Sequence, residues 1–389
     1  MTRSHMVTAP TPFSPAGSTV PIALAEVPDN HPCLWGRLEL LPAAPLLEEP
    51  DAQLLPTRRT GQAQHWWTSR KQGAIDRQGQ PITAINDVRG ARPIYALPDD
   101  FSDIRPGKVR RRPVVLYGGT VFEHFGHLLL DLNRLYRLLQ LFRRSREPIW
   151  VHYPALGEAG TIENPLVKAW FDCLGIRKRV RVLRCTLNCD RLVSSPALYR
   201  DRCYVTADFP RAAQRALSGK LQRRLLALEP DAAPIAYLSR HKLSSGTTRF
   251  DGELEVVEAL RKLPNVAVIC PEELSIEAKL GLYRRHRMIT GFVQAAMVLK
   301  YFVPTTRPGD LARQLMLVAG PNSLNSNWVN MERAFGFGDQ VLDCTHPAGG
   351  REGEELIELG SPRQAEGFQR LNRFNAGLVI DQLRALSER

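Results

Sequence analysis

From Pro113 onward, short apolar runs bounded by Gly, Pro or polar residues alternate with longer stretches that carry apolar residues at helical spacing, and the alternation occurs in two blocks. Such a chain has few ways to bury both kinds of apolar face. It stacks the strands into a mainly parallel sheet and lays the helices over it. In the first block, Val114-Val115-Leu116-Tyr117 reads as a buried strand, 123–143 as one long helix, 149–153 as a strand, 164–173 as a helix and 180–183 as a further strand. The second block reads as helix 211–228, strand 235–238, helix 252–263, strand 266–270, helix 275–285 opened by Ser275, strand 288–291 and helix 295–301. Strands at 314–318 and 340–344 follow, then an amphipathic helix over 365–386, and no repeat of solenoid length appears.

The 389 residues suit two domains at about 150 residues each. Residues 1–30, rich in Pro, Ala, Thr and Ser without periodicity, are expected to be a mobile arm. The reading then divides the chain into an α/β domain over 31–205, a second α/β domain over 206–345 and a tail with a helix over 346–389. Within the first, 31–113 is irregular, with several prolines and short strand-like runs such as Pro93-Ile94-Tyr95-Ala96-Leu97. Paired α/β units place their ligand at the carboxyl ends of the strands, here in the cleft between them.

Composition removes other classes. At 43 % apolar and 24 % charged the chain is neither disordered nor fibrous. No apolar run reaches the about 18 residues of a membrane span, and the first residues lack a signal-peptide core, so the expected compartment is cytoplasmic. Seven scattered cysteines at no metal-finger spacing give neither a disulfide framework nor a structural zinc site. The net charge of +12 admits nucleic acid, an anionic membrane surface or an anionic small substrate as partner. Its basic clusters, among them Arg110-Arg111-Arg112 and Arg177-Lys178-Arg179-Val180-Arg181, are interleaved with apolar runs, and no nucleic-acid motif accompanies them.

Two groups of residues carry chemistry. His124, His127, Asp131 and Arg134, spaced three, four and three apart, fall on one face of the helix read over 123–143 and among leucines. Ionisable groups in such surroundings need partners or water, so the stripe either faces a wet cleft or pins the helix internally. A His and a carboxylate one turn apart can share a hydrogen bond and take a proton from an attacking hydroxyl. Two His and an Asp on one face also resemble a metal ligand set. The second group is Ser239-Arg240 at the end of strand 235–238, followed by a Ser/Gly/Thr stretch read as a flexible loop and by Arg249. Two guanidinium groups flanking such a loop suit a diphosphate. Gly291, with a helix start near Ala295, offers close backbone approach and a second anion-favouring position.

The segment His127-Leu128-Leu129-Leu130-Asp131-Leu132-Asn133-Arg134-Leu135 resembles the "HWLLDLLPRL" segment of glycosyltransferase family 61, which includes bacterial capsular-polysaccharide enzymes. Tyr237-Leu238-Ser239-Arg240 with Arg249 and Glu253-Leu254, the run from Pro271-Glu272-Glu273-Leu274-Ser275 to Leu280, and Ile289-Thr290-Gly291 with Ala295-Ala296 resemble further segments of that family, in order, over about 114–302. Lys279 stands where the family usually has Gln, Gly252 where it has Asn, and Val293-Gln294 where it has His-Gly.

The resemblance implies a GT-B-like fold, two Rossmann-like domains facing across a cleft, and an inverting, metal-independent transfer of a hexosyl or pentosyl group. The sugar would come from a nucleotide-sugar donor, often UDP-linked, and no cofactor is expected. On this reading 31–205 is the acceptor side and 206–345 the nucleotide-sugar side. Asp131 is the general base helped by His127. Ser239, Arg240, Arg249, Lys279 and Gly291 bind the donor, and His124, Arg134 and Glu273 line the cleft. The acceptor is a hydroxyl of a glycan or glycolipid in polysaccharide biosynthesis, and the basic surface leaves room for peripheral contact with an anionic membrane. The alternatives are a non-catalytic nucleotide-sugar-binding or scaffold protein, and a metal-dependent hydrolase using His124, His127 and Asp131.

Overall fold

The computed structural model describes residues 20–59, 70–85, 88–89, 92–93, 109–154, 162–244, 246–345, 354–356 and 368–388. The protein is a mixed α/β structure built on two six-stranded sheets. In the carboxy-terminal sheet, Val266–Ile269, Ile235–Leu238, Met288–Phe292, Arg313–Val318 and Gln340–Asp343 lie side by side, all parallel. The strand that comes first in the chain, Ile235–Leu238, thus sits between the second and the third. Connections from neighbouring strands leave in opposite directions at that place, which opens a crevice beyond Leu238 and Phe292.

The amino-terminal sheet repeats the logic with another order. Val180–Val182, Ile149–His152, Val109–Thr120 and Thr186–Ser194 are parallel neighbours, so the earliest strand of these four again has its successors on both sides. Leu47–Arg59 and Arg70–Ile75 extend this sheet antiparallel. All four residues of Ile149–His152 are buried, because helices and loops cover both faces.

One hydrophobic core continues from one sheet's helices to the other's. Phe302, at the end of the 3-10 helix Ala295–Phe302, places its ring 4.9 Å from that of Tyr136 and 5.1 Å from that of Trp170. Each of these aromatic side chains buries a large apolar surface, so this contact ties the two sheets together strongly.

Several elements differ from the sequence reading. The single helix over 123–143 is two helices, Phe125–Leu130 and Asn133–Phe142. The Asn133 amide donates to the Leu130 carbonyl at 2.9 Å and to the Tyr199 carbonyl at 3.2 Å, while its oxygen accepts from the Leu198 amide at 2.7 Å. It thereby occupies the carbonyl that a continuous helix would pair with the amide four residues on. The helix read over 211–228 is likewise split into Phe209–Gln214 and Gly219–Leu226, the second capped by Ser218. The stretch read as a flexible loop around 244–248 contains the start of the strand Gly246–Asp251, which pairs in parallel with Phe368–Arg373. That partner lies where a continuous helix was read; the helix is shorter, Ala376–Ser387.

The arm read over 1–30 contains structure in its described part. Ile22–Ala23 pairs antiparallel with Gln340–Asp343, and Leu24 and Val27 are fully buried. Residues 1–19 and 94–97 lie outside the described residues.

Candidate active site

The strand Val109–Thr120 delivers the chain, through four residues, to the helix Phe125–Leu130. Here His127 Nδ1 lies 3.0 Å from Asp131 Oδ2, with side chains 19 % and 24 % exposed. Asp131 is the C-cap of this short helix, one turn beyond His127, so the helix break leaves their pairing intact. The ring of His124, an exposed residue at the helix N-cap, stands 5.2 Å from the His127 ring, and Phe122 meets His127 edge-on at 6.4 Å. His124, His127 and Asp131 are therefore together. They do not form a ligand set: among the described residues, no group of three or more His, Cys, Asp or Glu side chains is placed to hold a metal ion.

Arg134 is not with them. Lying past the break, it is buried, and its guanidinium donates to the carbonyls of Ala84, at 2.9 Å, and Ser195. Arg134 therefore ties the carboxyl end of Thr186–Ser194 to the helix instead of lining a cleft. Its stem also explains one of the neighbouring glycines. A Cβ on Gly119, whose φ is +92°, would come 3.3 Å from Arg134 Cδ, and one on Gly118 would come 2.9 Å from Ile149.

A carboxylate that sequence reasoning overlooked adjoins the histidines. Tyr153 donates its hydroxyl to Glu123, and burial together with that carboxylate holds the phenol well above its usual range. The signal available was position, since Glu123 directly precedes His124.

On the other sheet the organising residue is also one that sequence reasoning did not assign. Glu253, at the start of helix Glu253–Leu260, is buried, and its Oε1 accepts from the Arg240 backbone amide at 2.8 Å, Ser239 Oγ at 3.2 Å and the Tyr237 hydroxyl at 3.3 Å. Burial raises its pKa, and these donors offset part of the rise. Ser239 is wholly buried, with Oγ 2.7 Å from His241 Nδ1, so it shapes the loop without reaching a ligand.

Arg240 and Arg249 line one cleft of about 540 Å³ together with His241, Ser244 and Gly252. The Arg240 Nη2 donates to the Thr248 carbonyl at 2.9 Å, while its buried Nε has no hydrogen-bond partner among the described residues. Burial lowers its pKa, and Glu253 and Glu272 oppose that shift. A guanidinium in this state still carries its charge.

Lys279 Nζ sits 4.9 Å from the centre of the Phe125 ring. Burial lowers its pKa, while Glu272 opposes the shift. Glu273 is an exposed partner of Lys242, at 2.8 Å, and forms a surface pair. Gly291 is buried within the strand Met288–Phe292 at φ +141°, and a Cβ there would stand 2.5 Å from the Leu238 carbonyl oxygen. Its missing side chain makes room for backbone, not for a ligand. Next to it, Gln294 Nε2 donates to that same carbonyl at 2.9 Å, across the crevice between the first and third strands.

Of the second group only Lys279, with the Ala295 segment, adjoins the Phe125–Leu130 helix; the cleft lined by Arg240 and Arg249 includes neither His127, Asp131 nor Lys279. A Cβ on Gly126 would contact the Ala295 Cβ at 3.4 Å, and Phe125 receives Lys279. The His–carboxylate pair thus stands on an element packed directly against the segment leaving the carboxy-terminal sheet at its strand-order reversal. The fold carries a His–carboxylate pair on one sheet's helix and cationic side chains on the other sheet's loops. The family model described as glycosyltransferase 61 matches residues 125–307, from the first residue of that helix through the 3-10 helix Ala295–Phe302. Over this stretch the chain is similar to glycosyltransferase family 61, which supports glycosyltransferase activity with a sugar donor and an acceptor as partners. No curated protein matches the chain.

Proposed function

We propose that this protein is an inverting glycosyltransferase moving a sugar from a nucleotide donor, UDP-linked, to a hydroxyl of a glycan or glycolipid during polysaccharide synthesis. The observation that carries this reading is the His127–Asp131 pair, 3.0 Å apart, on a helix seated against Ala295 at the carboxyl end of the parallel sheet. In the reaction the acceptor oxygen attacks the anomeric carbon, Asp131 takes the hydroxyl proton, and the bond to the diphosphate breaks with its electron pair leaving on the nucleotide. A carboxylate held by imidazole is suited to this step. Arg240, Arg249 and Lys279 are the cations that meet the developing diphosphate charge. Ser239 and Gly291 support that site from behind.

In this reading the sheet order on each side corresponds to a nucleotide-fold lobe. The two lobes are those of a GT-B protein, with 31–205 serving the acceptor and 206–345 the donor. The test is donor consumption and product formation by the purified chain and by Asp131→Asn. Undiminished transfer by the variant overturns the assignment.

One observation favours a second reading. Gln294 closes on the Leu238 carbonyl where the family carries His-Gly. A protein that binds the nucleotide sugar without turning it over would retain UDP affinity while showing neither transfer nor donor hydrolysis.

A further inference from the structure

A second cavity lies away from the His127–Asp131 pair, at the edge of the amino-terminal sheet. It measures about 590 Å³ and wraps around the edge strand Val180–Val182. That is within the about 300–1,000 Å³ usual for ligand sites. Arg110, Lys168, Arg177, Arg181 and Arg184 line it, and no Asp or Glu is among its described lining residues. Trp150, Ile162 and Phe171 supply an apolar floor. Five cations gathered on a concave surface with an apolar floor repel one another and focus a positive field, so they favour an anionic occupant.

The guanidinium groups are partly positioned in advance. Arg181 Nη1 donates to the carbonyls of Lys178, at 2.8 Å, and Val180, at 2.9 Å, partners that leave its charge uncompensated. Arg177 is drawn by Asp172 at 3.0 Å, an exposed pair of little strength. Guanidinium forks of this kind match carboxylate and phosphate oxygens.

We propose that this cavity binds an anionic glycan, one carrying carboxylate or phosphate groups along its chain; the choice of a glycan rests on the glycosyltransferase reading above. One feature favours a saccharide over a membrane surface. The site is concave, so a flat bilayer reaches only its rim. It also shares an element with the catalytic wall: Trp150 belongs to the strand Ile149–His152, and Tyr153, next in the chain, donates to Glu123 beside His124. Three residues of extended chain span about 10 Å. Trp150 and Tyr153 face opposite sides of this sheet, so the cavity and the His127–Asp131 pair share the sheet without sharing a face.

The experiment is calorimetric titration of the full chain with an oligogalacturonate, with a malto-oligosaccharide of equal length, and with phosphatidylglycerol vesicles. The double variant Arg181→Ser/Arg184→Ser is measured in parallel, its folding checked by thermal unfolding. The proposal expects the oligogalacturonate to bind at least tenfold tighter than the neutral saccharide, with affinity falling between about 50 and 300 mM salt. It expects the double variant to lose at least tenfold in that affinity and to keep that for UDP. Equal binding of the two saccharides, or equal binding by variant and wild type, overturns it. Vesicle binding that depends on Arg181 and Arg184, without oligogalacturonate binding, overturns it in favour of a membrane surface. Because binding is read without turnover, inactivity of the enzyme leaves this result intact. Transfer to a neutral acceptor without oligogalacturonate binding removes this proposal alone.

Discussion

The backbone of Gly291 passes so close to Leu238 that a Cβ would stand 2.5 Å from the Leu238 carbonyl oxygen. This approach sets the width of the strand pair at the point where the carboxy-terminal sheet reverses its order, and Gln294 then bonds the same carbonyl. Any side chain at Gly291 meets both the oxygen and an unfavourable φ of +141°. Gly291→Ala is expected to lose about 3 kcal/mol of stability in urea unfolding. UDP affinity measured on the remaining folded protein should fall with it, because the strand ends that carry Ser239 and Gln294 are displaced. A stability equal to wild type would remove Gly291 from this structural role.

In the proposed reaction Asp131 and His127 act at the step where the acceptor proton leaves. Asp131→Asn keeps the size and one hydrogen-bonding oxygen of the side chain but removes its basicity. The turnover number is expected to fall by about 10²–10⁴, the usual contribution of a positioned general base, with UDP affinity unchanged. His127→Gln, which preserves a polar partner for Asp131, should fall less. Steady-state kinetics beside a UDP titration separates the two effects, and a drop in UDP affinity equal to the drop in turnover would point to misfolding instead.

Much of the second sheet is legible in the sequence, because its strands are short apolar runs framed by breakers. Ile235–Leu238, Val266–Ile269 and Met288–Phe292 stand within a residue of their expected places. The first sheet is harder. Leu47–Arg59 contains Pro50 and Pro56, which argue against a strand, and it is held by pairing with Thr186–Ser194, more than a hundred residues away. The break after Asp131 depends on Asn133 meeting Leu198 and Tyr199, contacts that no local pattern announces. In the site, the His127–Asp131 pairing follows from spacing alone. Arg134 shared that spacing and yet turned inward, since the same break rotates everything beyond it. Glu253 stood within a segment that resembles the family, but its role was not legible, because that role lies in the three donors that converge on it from 237–240.

Arg240 and Arg249 line the same cleft but are held differently, and that predicts unequal effects. Arg240 is half-buried with its Nη2 on the Thr248 carbonyl, whereas Arg249 is exposed. A fixed, partly desolvated guanidinium contributes more to diphosphate binding than a solvated one. Arg240→Gln is expected to weaken UDP binding at least about tenfold, and Arg249→Gln by about two- to fivefold, both being typical of single charged hydrogen bonds. Calorimetry with UDP and with uridine checks the cause. The loss should vanish for uridine, which lacks the diphosphate.

Glu332 offers a pH test independent of catalysis. It lies in the helix Ser326–Phe335, buried near the ion pair between Lys300 and Asp339, both fully buried. Burial, helped by the charge of Asp339, raises its pKa from 4.5 to about 7. Between those values the folded protein holds a proton that the unfolded chain has released. The stabilisation is therefore complete below about pH 4.5 and is lost as pH rises toward 7. Glu332→Gln keeps an oxygen for the amides of Gly338, at 2.6 Å, and Asp339, at 3.3 Å, and stays neutral throughout. The variant should match wild type near pH 4.5 and exceed it at about pH 8 by on the order of 1–3 kcal/mol, because each pH step of one between the two pKa values is worth about 1.4 kcal/mol. Urea unfolding across this range reads the difference directly. Two parallel stability curves would show that the Glu332 carboxyl titrates normally in the fold, and that the Lys300–Asp339 pair does not govern it.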